Sequence, residues 1–197
     1  YVERVASGDV PFQLEHYWSK GTVLRTETVI GGLPVMTIVT ATDYIMIDVL
    51  SAKGVSIARS PRSIAADKKR GRPFGLEGRE VVEVGAEKVS TEKYGVGTCD
   101  LYRATNRDGR REVCVAGGEQ YLPLYVRTWH RESNKHVSMR YLNWTRDLKI
   151  PDSFFQPDPR VELEEIGYED YLKRADKEPV TPFPVFYQEL LHGPREE

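Results

Sequence analysis

The chain has 197 residues, with 28 lysines and arginines against 30 aspartates and glutamates and a net charge of −2. This length fits one domain, or one domain with a small appendage, and is enough to bury a core without metal ions or disulfides. The balanced charge gives no global field to attract nucleic acid or an anionic membrane, and no apolar run approaches the roughly 18 residues needed to span a bilayer.

The start of the sequence carries no recognisable export signal, and its first residue is Tyr1 rather than Met. We therefore expect a processed chain whose export signal or lipid anchor lay upstream, although a chain trimmed for other reasons fits equally well. Residues 1–10 are mixed in polarity and weakly helical, which predicts a frayed end or the tail of a helix. Residues 11–22 alternate loosely between apolar and polar side chains and predict the first strand.

Residues 23–58 contain three runs of apolar and β-branched side chains and a shorter fourth, separated by turns rich in Gly, Asp and Ser. Such short runs predict an antiparallel meander. If residues 42–43 form a two-residue turn, Met36 faces Val49 across the pair. One face of the sheet then carries five apolar side chains: Met36, Ile38, Ile45, Ile47 and Val49. The opposite face mixes apolar and polar residues. The first face is the more apolar of the two, so it needs a cover or a ligand.

Residues 59–77 break the strand pattern. Ser63 is placed to cap a short helix that runs to Asp67. The next stretch, KKRGRPFG, contains the Arg-Gly-Arg-Pro core of an AT-hook, which binds the minor groove of DNA. A single hook binds weakly and the chain is slightly acidic, so a solvated loop is the better interpretation. Residues 79–90 alternate again and predict one further strand.

The two cysteines fall on the two arms of an apparent hairpin around residues 106–109. With a type I turn and a glycine bulge, Tyr102 pairs with Cys114, which puts Cys99 about three residues out of register. A disulfide then needs a bulge or a shifted register, and two buried free thiols are the alternative. We expect the two cysteines to lie on adjacent strands within about 8 Å, and favour a disulfide slightly if the chain resides in an oxidising compartment.

The remainder of the sequence predicts two strands at 121–130 and 136–144, followed by a closing segment. In that segment Pro151 starts a turn that Asp152 can cap, which directs two phenylalanines, Phe154 and Phe155, onto the sheet.

The tail begins with an amphipathic helical pattern whose body-facing residues are Ile166, Tyr168, Tyr171 and Leu172. Residues 179–191 are too apolar to stay in water. Their prolines, at 179, 182 and 184, forbid a helix before about residue 185. We expect this segment to run extended over the body and to end in a short helical turn near 189–191.

Side chains capable of chemistry do not cluster in the sequence. The four histidines stand singly, without the spacing of metal ligands, and no serine lies in a G-x-S-x-G motif. Neither cysteine lies in a known nucleophile motif. We therefore predict no catalytic residue, no metal site and no cofactor, and a protein that is not an enzyme.

Several short motifs follow one another in a recognisable order: Leu24-Arg25-x-Glu27, MTIV, DYIMID, Leu122-Pro123-Leu124 and Ile150-Pro151-Asp152. Over about residues 12–163 this order resembles the LolA-like periplasmic lipoprotein carriers, and most of all the small LolA-related outer-membrane lipoproteins. The match consists of ordered motifs rather than continuous identity, and Cys114 stands where an aromatic residue is commoner in the family.

The resemblance implies a mainly β fold: a curled antiparallel sheet of roughly nine to eleven strands that forms an incomplete, half-open barrel with a few short helices on its concave side. It also implies a domain at 1–163, with 164–197 as a helical and Pro-rich extension packed on it. The segment 164–197 has no counterpart in the family pattern.

The implied function is a periplasmic or outer-membrane-associated protein that holds the acyl chain of a lipid or lipoprotein in an apolar cleft, with envelope proteins as further partners and no nucleic acid. The expected cleft-lining residues are Met36, Ile38, Ile45, Ile47, Val49, Tyr102, Met139 and Trp144. Which sheet face lines the cleft stays open, and an ordinary core that fills the cleft is equally well supported. The alternatives are a cofactor-free enzyme on the same fold and a structural envelope protein without a ligand.

Overall fold

The computed structural model describes residues 1–181 and 183–194; Pro182 of the tail and residues 195–197 lie outside the described residues. Strands make up 46% and helices 18%. The mainly β fold with few short helices, predicted from the sequence, is confirmed.

The described residues form twelve strands and four α-helices, with one 3-10 turn at Asp152–Phe155. The strands are β1 (Val2–Gly8), β2 (Gln13–Lys20), β3 (Val23–Ile30), β4 (Leu33–Val39), β5 (Asp43–Asp48), β6 (Lys53–Ala58), β7 (Glu87–Tyr94), β8 (Gly97–Asn106), β9 (Gly109–Ala116), β10 (Pro123–His130), β11 (Lys135–Leu142) and β12 (Glu162–Ile166). The helices are α1 (Pro61–Arg70), α2 (Glu77–Glu83), α3 (Tyr168–Ala175) and α4 (Gln188–His192).

The hydrogen-bonded order is β12-β6-β5-β4-β3-β2-β1-β11-β10-β9-β8-β7. This order has two ends among the described strands, so the sheet is not closed into a barrel. It is also mixed, because β12 runs parallel to β6, with Glu162 opposite Lys53 and Ile166 opposite Ile57. The expectation of a wholly antiparallel sheet is wrong at this edge. A parallel pair needs a long crossover, and more than a hundred residues separate β6 from β12.

The chain forms two compact units, residues 1–15 with 74–145 (the first unit) and residues 16–73 with 146–197 (the second unit). These bounds differ from the expected division after residue 163. That residues 164–197 form a separate extension therefore stays a prediction.

In the first unit, β1 and β7–β11 form an antiparallel array, and α2 packs against β8, β9 and β10. Gly78 of α2 lies so close to the backbone that a Cβ there would meet the Tyr121 carbonyl oxygen at 2.1 Å. The helix side of the array buries Val113, Val115 and Val126. The opposite face holds a second cluster: Cys99, Leu101, Cys114 and Tyr125, with Tyr94 and Leu124 packed against them.

In the second unit, the β3–β6 meander is buried on both faces, and each face has its own cover. One face carries Val35, Thr37, Val39, Tyr44 and Met46. The tail covers this face, where the Tyr187 backbone N–H donates to the Tyr44 hydroxyl at 3.3 Å and α4 contacts β5. The other face carries Ile38, Ile45 and Ile47, packed with Met36, Val161 and Leu163.

The meander was expected to turn at residues 42–43, and this register is wrong. The β4–β5 connection spans residues 40–42, so Met36 lies opposite Ile47 and Ile38 opposite Ile45. The shift is two residues, which is the side-chain period of a strand, so the predicted face composition survives it.

Two local expectations are wrong because tertiary packing decided them. Residues 2–8 form β1, paired with β11 from Glu3 opposite Leu142 to Gly8 opposite Val137, instead of a frayed end. The stretch 79–90 is divided between α2 and β7 instead of forming one strand. Val81 and Gly78, one helical turn apart, are the buried residues of α2.

Two capping expectations are also wrong. Ser60, not Ser63, caps α1: its hydroxyl accepts the Ser63 backbone N–H at 3.0 Å, and Pro61 occupies the first helical position. Asp152 caps nothing, and its carboxylate pairs with Lys20.

The tail follows its predicted course where the structure describes it. Phe183 and Val185 are buried, and the short helical turn is α4, with Leu190 and Leu191 buried. In α3, Tyr171 is buried as expected, whereas Leu172 is exposed.

Candidate functional site

A cavity of about 800 Å³ opens in the second unit. It lies between strands β4 and β5 on one side and the segment 153–161 on the other. Its lining residues are Arg25, Met36, Ile47, Val49, Ala52, Ser153, Gln156, Pro157, Asp158, Pro159, Arg160 and Val161.

The floor of the cavity is apolar because of strand alternation. Met36 and Ile47 are directly opposite each other, so both project from the same face of the sheet. The next pair on that face, Ile38 and Ile45, lies beside it along the strands and is buried, where it packs with Val161 and Leu163. The cavity is therefore the part of this apolar face that the covering segment leaves unfilled.

The covering segment, residues 153–161, is held on the sheet by aromatic side chains: Phe155 is buried, and Phe154 contacts Trp18 and Arg25. The Phe154 ring lies edge-on to Trp18 at 5.4 Å between centroids, and the Arg25 guanidinium lies over it at 4.2 Å from the centroid. Arg25 also donates to the Phe154 carbonyl oxygen at 2.9 Å and forms an ion pair with Glu27. The segment thus has a defined position above the floor.

Charged groups lie in the wall. Arg160 donates to both carboxylate oxygens of Asp158, at 3.0 and 2.7 Å, and its side chain is 89% exposed. These hydrogen bonds lower the pKa of Asp158, and the pKa of Arg160 is raised by the same contact. The ion pair leaves Arg160 at the surface, where it can meet an anionic group outside the apolar floor.

Of the eight residues expected to line a cleft, three line this cavity: Met36, Ile47 and Val49. Ile38 and Ile45 lie in the buried core next to it on the same face of the sheet.

The remaining three expected lining residues belong to the first unit. Tyr102 lies opposite Val113, and Met139 lies opposite Val126. Trp144 stacks on Tyr141 at 5.7 Å and donates from its ring nitrogen to the Pro123 carbonyl at 2.9 Å. These side chains pack within the first unit.

Sequence reasoning missed the covering segment as a source of lining residues. Its prolines, Pro157 and Pro159, and the Asp158–Arg160 pair show no strand or helix period. The sequence signals within this part of the chain were the Ile-Pro-Asp motif and the two phenylalanines that follow it.

The cysteines are joined in a disulfide, Cys99–Cys114, with 5.6 Å between their Cα atoms. The hairpin turn has two residues, so Asn106 lies opposite Gly109, Leu101 opposite Cys114 and Cys99 opposite Ala116. The expected pairing of Tyr102 with Cys114 is wrong. The true register places Cys99 diagonally from Cys114 on the same face of the sheet, which the bond can span without a bulge.

The structure gives little support to a metal site or to DNA binding by the AT-hook-like stretch. In residues 1–181 and 183–194, no group of three or more His, Cys, Asp or Glu side chains is arranged to hold a metal ion. Arg70 of the AT-hook-like stretch is buried against Asp67, at 3.2 Å. No helix in the described part of the chain is long and apolar enough to cross a membrane.

No protein-family model and no curated protein matches the chain. Among solved structures, it is similar to an uncharacterized conserved protein from Thermus thermophilus, with a TM-score of 0.57 and 9% identity over 83% of this chain and 89% of that one. At this identity the likeness shows the fold alone.

Two further solved structures are similar at lower TM-scores. One is a domain from Vibrio parahaemolyticus named for outer membrane lipoprotein sorting, with a TM-score of 0.35 and 10% identity over 79% of this chain and 87% of that one. The class of protein that the sequence motifs resemble is thus present among the structural neighbours. The other is a DUF1329 family protein from Desulfovibrio piger, with a TM-score of 0.32, 10% identity and the same coverages. Likenesses with scores this low carry no argument about function.

Proposed function

We propose that this protein binds the acyl chain of a lipid or lipoprotein in the cavity of the second unit. The observation that carries the proposal is an opening of about 800 Å³ with an apolar floor of Met36 and Ile47. Sites for small molecules are typically apolar cavities of roughly 300–1,000 Å³ with few polar groups. An acyl chain gains about 0.8 kcal/mol per buried CH₂, so a chain that reaches the floor binds without any chemical step.

The polar groups of the wall suit the other end of such a ligand. Arg160 is exposed at the cavity, and its pairing with Asp158 is a surface ion pair, which contributes little stability. An anionic headgroup can replace Asp158 as the partner of the Arg160 guanidinium at little cost in free energy. The ligand we infer is therefore an acyl chain with an acidic head.

We place this binding in the bacterial periplasm or at the outer membrane. The Cys99–Cys114 disulfide supports the placement, because disulfides persist in oxidising compartments and are rare in the cytosol.

Native mass spectrometry of the purified protein, followed by titration with a dansyl-labelled fatty acid, tests the proposal. Adjacent residues give a matched pair of variants: Val49 lines the cavity, whereas Leu50 is 70% exposed and lies outside the lining. Val49→Glu should weaken probe binding about tenfold, equivalent to losing about two buried CH₂ groups. Leu50→Glu should bind the probe as the unmodified protein does.

The proposal fails if no lipid co-purifies and the probe shows no saturable binding, which would favour a structural envelope protein without a ligand. It also fails if both variants bind equally well. Unchanged circular dichroism spectra of the two variants show that the comparison concerns binding rather than folding.

A further inference from the structure

A second, smaller cavity, of about 170 Å³, lies in the first unit at one end of strands β9–β11. It is lined by Gly8, Arg110, Glu112, Arg127, Thr128, Trp129, His136, Val137 and Ser138. Its lining differs in kind from that of the acyl cavity, because it is rich in cationic and hydrogen-bonding side chains. It shares no lining residue with the acyl cavity, which lies in the second unit.

Strand register explains why these side chains meet. Arg127 of β10 lies opposite Glu112 on one neighbour and Ser138 on the other. Trp129, two residues on, lies opposite Arg110 and His136. Directly paired residues share a face, so all six side chains project from one face of the sheet. This is the face opposite to the one that α2 covers.

Two glycines bring the strands together here. A Cβ at Gly8 would meet the His136 carbonyl oxygen at 2.5 Å, and a Cβ at Gly109 would meet the Trp129 carbonyl oxygen at 1.9 Å. Both also have positive φ angles, +103° and +152°, which side-chain-bearing residues rarely adopt. The closeness of the strand ends at the Trp129–His136 pair is thus built into the backbone.

The charges around this cavity do not cancel. Glu112 is shared between Arg103, at 3.0 Å, and Arg110, at 3.7 Å. Arg127 has no carboxylate within 4.0 Å among the described residues, and its guanidinium lies over the Tyr125 ring at 4.4 Å from the centroid. Within the lining, two guanidinium groups, those of Arg110 and Arg127, therefore face one carboxylate, that of Glu112.

Two further carboxylates lie nearby but outside the lining. Asp9 accepts the His136 backbone N–H at 2.7 Å, and Glu92 accepts the Tyr125 hydroxyl at 2.8 Å. Both accept from neutral donors, and neither forms an ion pair with Arg127.

We propose that this cavity binds a phosphate group, carried by a phosphorylated small molecule or by a lipid headgroup. Arginine is suited to phosphate because its planar guanidinium donates two parallel hydrogen bonds to two oxygens. The Arg110 guanidinium, the Ser138 hydroxyl and the His136 ring supply further donors within the same lining. The volume is below the roughly 300 Å³ of a site for a whole small molecule, so it takes one compact group and leaves the remainder of the ligand outside, beside Trp129.

Titration with inorganic phosphate, followed by the ¹⁵N-indole resonance of Trp129, tests the proposal. That resonance is assigned by its loss in Trp129→Phe. We expect a saturable shift with a dissociation constant of about 1 mM, which chloride at equal ionic strength does not produce. Arg127→Gln should weaken phosphate binding at least about tenfold, since it removes the unpaired charge. Glu112→Gln should strengthen binding, since it removes the only carboxylate of the lining.

Arg107→Gln is the matched control, because Arg107 is a fully exposed arginine at the β8–β9 turn, outside the lining. It should change the dissociation constant less than about twofold. The proposal is overturned if chloride gives the same shift, if sulfate binds as well as every phosphate compound (an adventitious ion only), or if Arg127→Gln binds like Arg107→Gln.

Two experiments identify the source of the phosphate: titration with a hexose phosphate and sedimentation with lipid vesicles. A hexose phosphate that binds more tightly than inorganic phosphate assigns a free phosphorylated ligand. Sedimentation with phosphatidate vesicles but not with phosphatidylcholine vesicles, lost in Arg127→Gln, assigns a lipid headgroup. Either result supports the phosphate site.

Discussion

The buried ion pair between Arg59 and Asp67 gives the sharpest test of how the second unit is held together. The Arg59 side chain is 0% exposed, and Asp67 of α1 is 12% exposed. Two hydrogen bonds join them, at 2.8 and 3.0 Å. The same guanidinium donates to the Leu190 carbonyl at 2.6 Å and to the Thr40 carbonyl at 2.7 Å. One side chain therefore links α1, the meander and the tail.

Asp67→Asn removes the countercharge of Arg59, which stays buried, and also the carboxylate that pairs with Arg70 at 3.2 Å. Breaking a buried pair from one side costs about 3–5 kcal/mol, because the remaining charge has no water and no partner. The two carbonyl acceptors stay in place and offset part of this, so we expect the lower end, about 3 kcal/mol. Urea denaturation followed by circular dichroism measures it as a lower transition midpoint.

A surface pair provides the control. Lys53 and Glu162 are 3.5 Å apart with side chains 68% and 76% exposed. Glu162→Gln should change the free energy of unfolding by about 0–1 kcal/mol. If Asp67→Asn is no more destabilising than Glu162→Gln, the buried network does not hold the unit together as argued.

Three further predictions follow from single features. Replacing Cys99 and Cys114 with serine should lower the stability by about 3 kcal/mol in urea denaturation, the value for a closed loop of about 15 residues. Burial and the hydrogen bond to Glu92 raise the pKa of Tyr125 to about 12, above the ordinary 10. The protonated hydroxyl therefore stabilises the fold below pH 10, and this contribution is lost as the pH rises towards 12. Tyr125→Phe should reduce the loss of stability measured between pH 10 and 12. Deleting residues 179–197 should lower the melting temperature and expose a surface that binds an apolar dye, because this segment contributes buried phenylalanine, valine and leucine side chains.

Strand periodicity explains why the meander was predictable in part. Alternation correctly placed Met36 on the same face as Ile38, Ile45 and Ile47, since a register error of two residues leaves faces unchanged. The turn itself was mispredicted because Thr40 and Asp43 close a longer loop: the Thr40 hydroxyl accepts the Asp43 backbone N–H at 2.9 Å. The pattern of apolar and polar residues does not predict side-chain hydrogen bonds of this kind.

Local pattern failed where distant partners decide the structure. The stretch around Val81 alternates like a strand, but it is helical because two small or apolar residues one turn apart pack on the sheet. The parallel partner of β6 lies more than a hundred residues away, and no pattern within β12 specifies its direction. The cavity wall has the same difficulty, since an irregular Pro-rich segment supplies it.

The meander has two covers, the tail on one face and the Phe154 segment on the other, and only the second leaves a cavity. One face therefore contributes to stability, and the other can bind a ligand. Tyr44 and Ile45 are successive residues, so they project to opposite faces, and the tail on the Tyr44 side cannot occupy the cavity on the Ile45 side. The tail fills its face with its own side chains, whereas the segment anchored by Phe154 leaves about 800 Å³ on the other. An ordinary filled core and a cleft, which the sequence left as alternatives, therefore lie on the two faces of one sheet. Loss of the tail would therefore uncover the Tyr44 face and leave the cavity unchanged. The ligand proposed for the cavity would contact the Phe154 segment and not the tail.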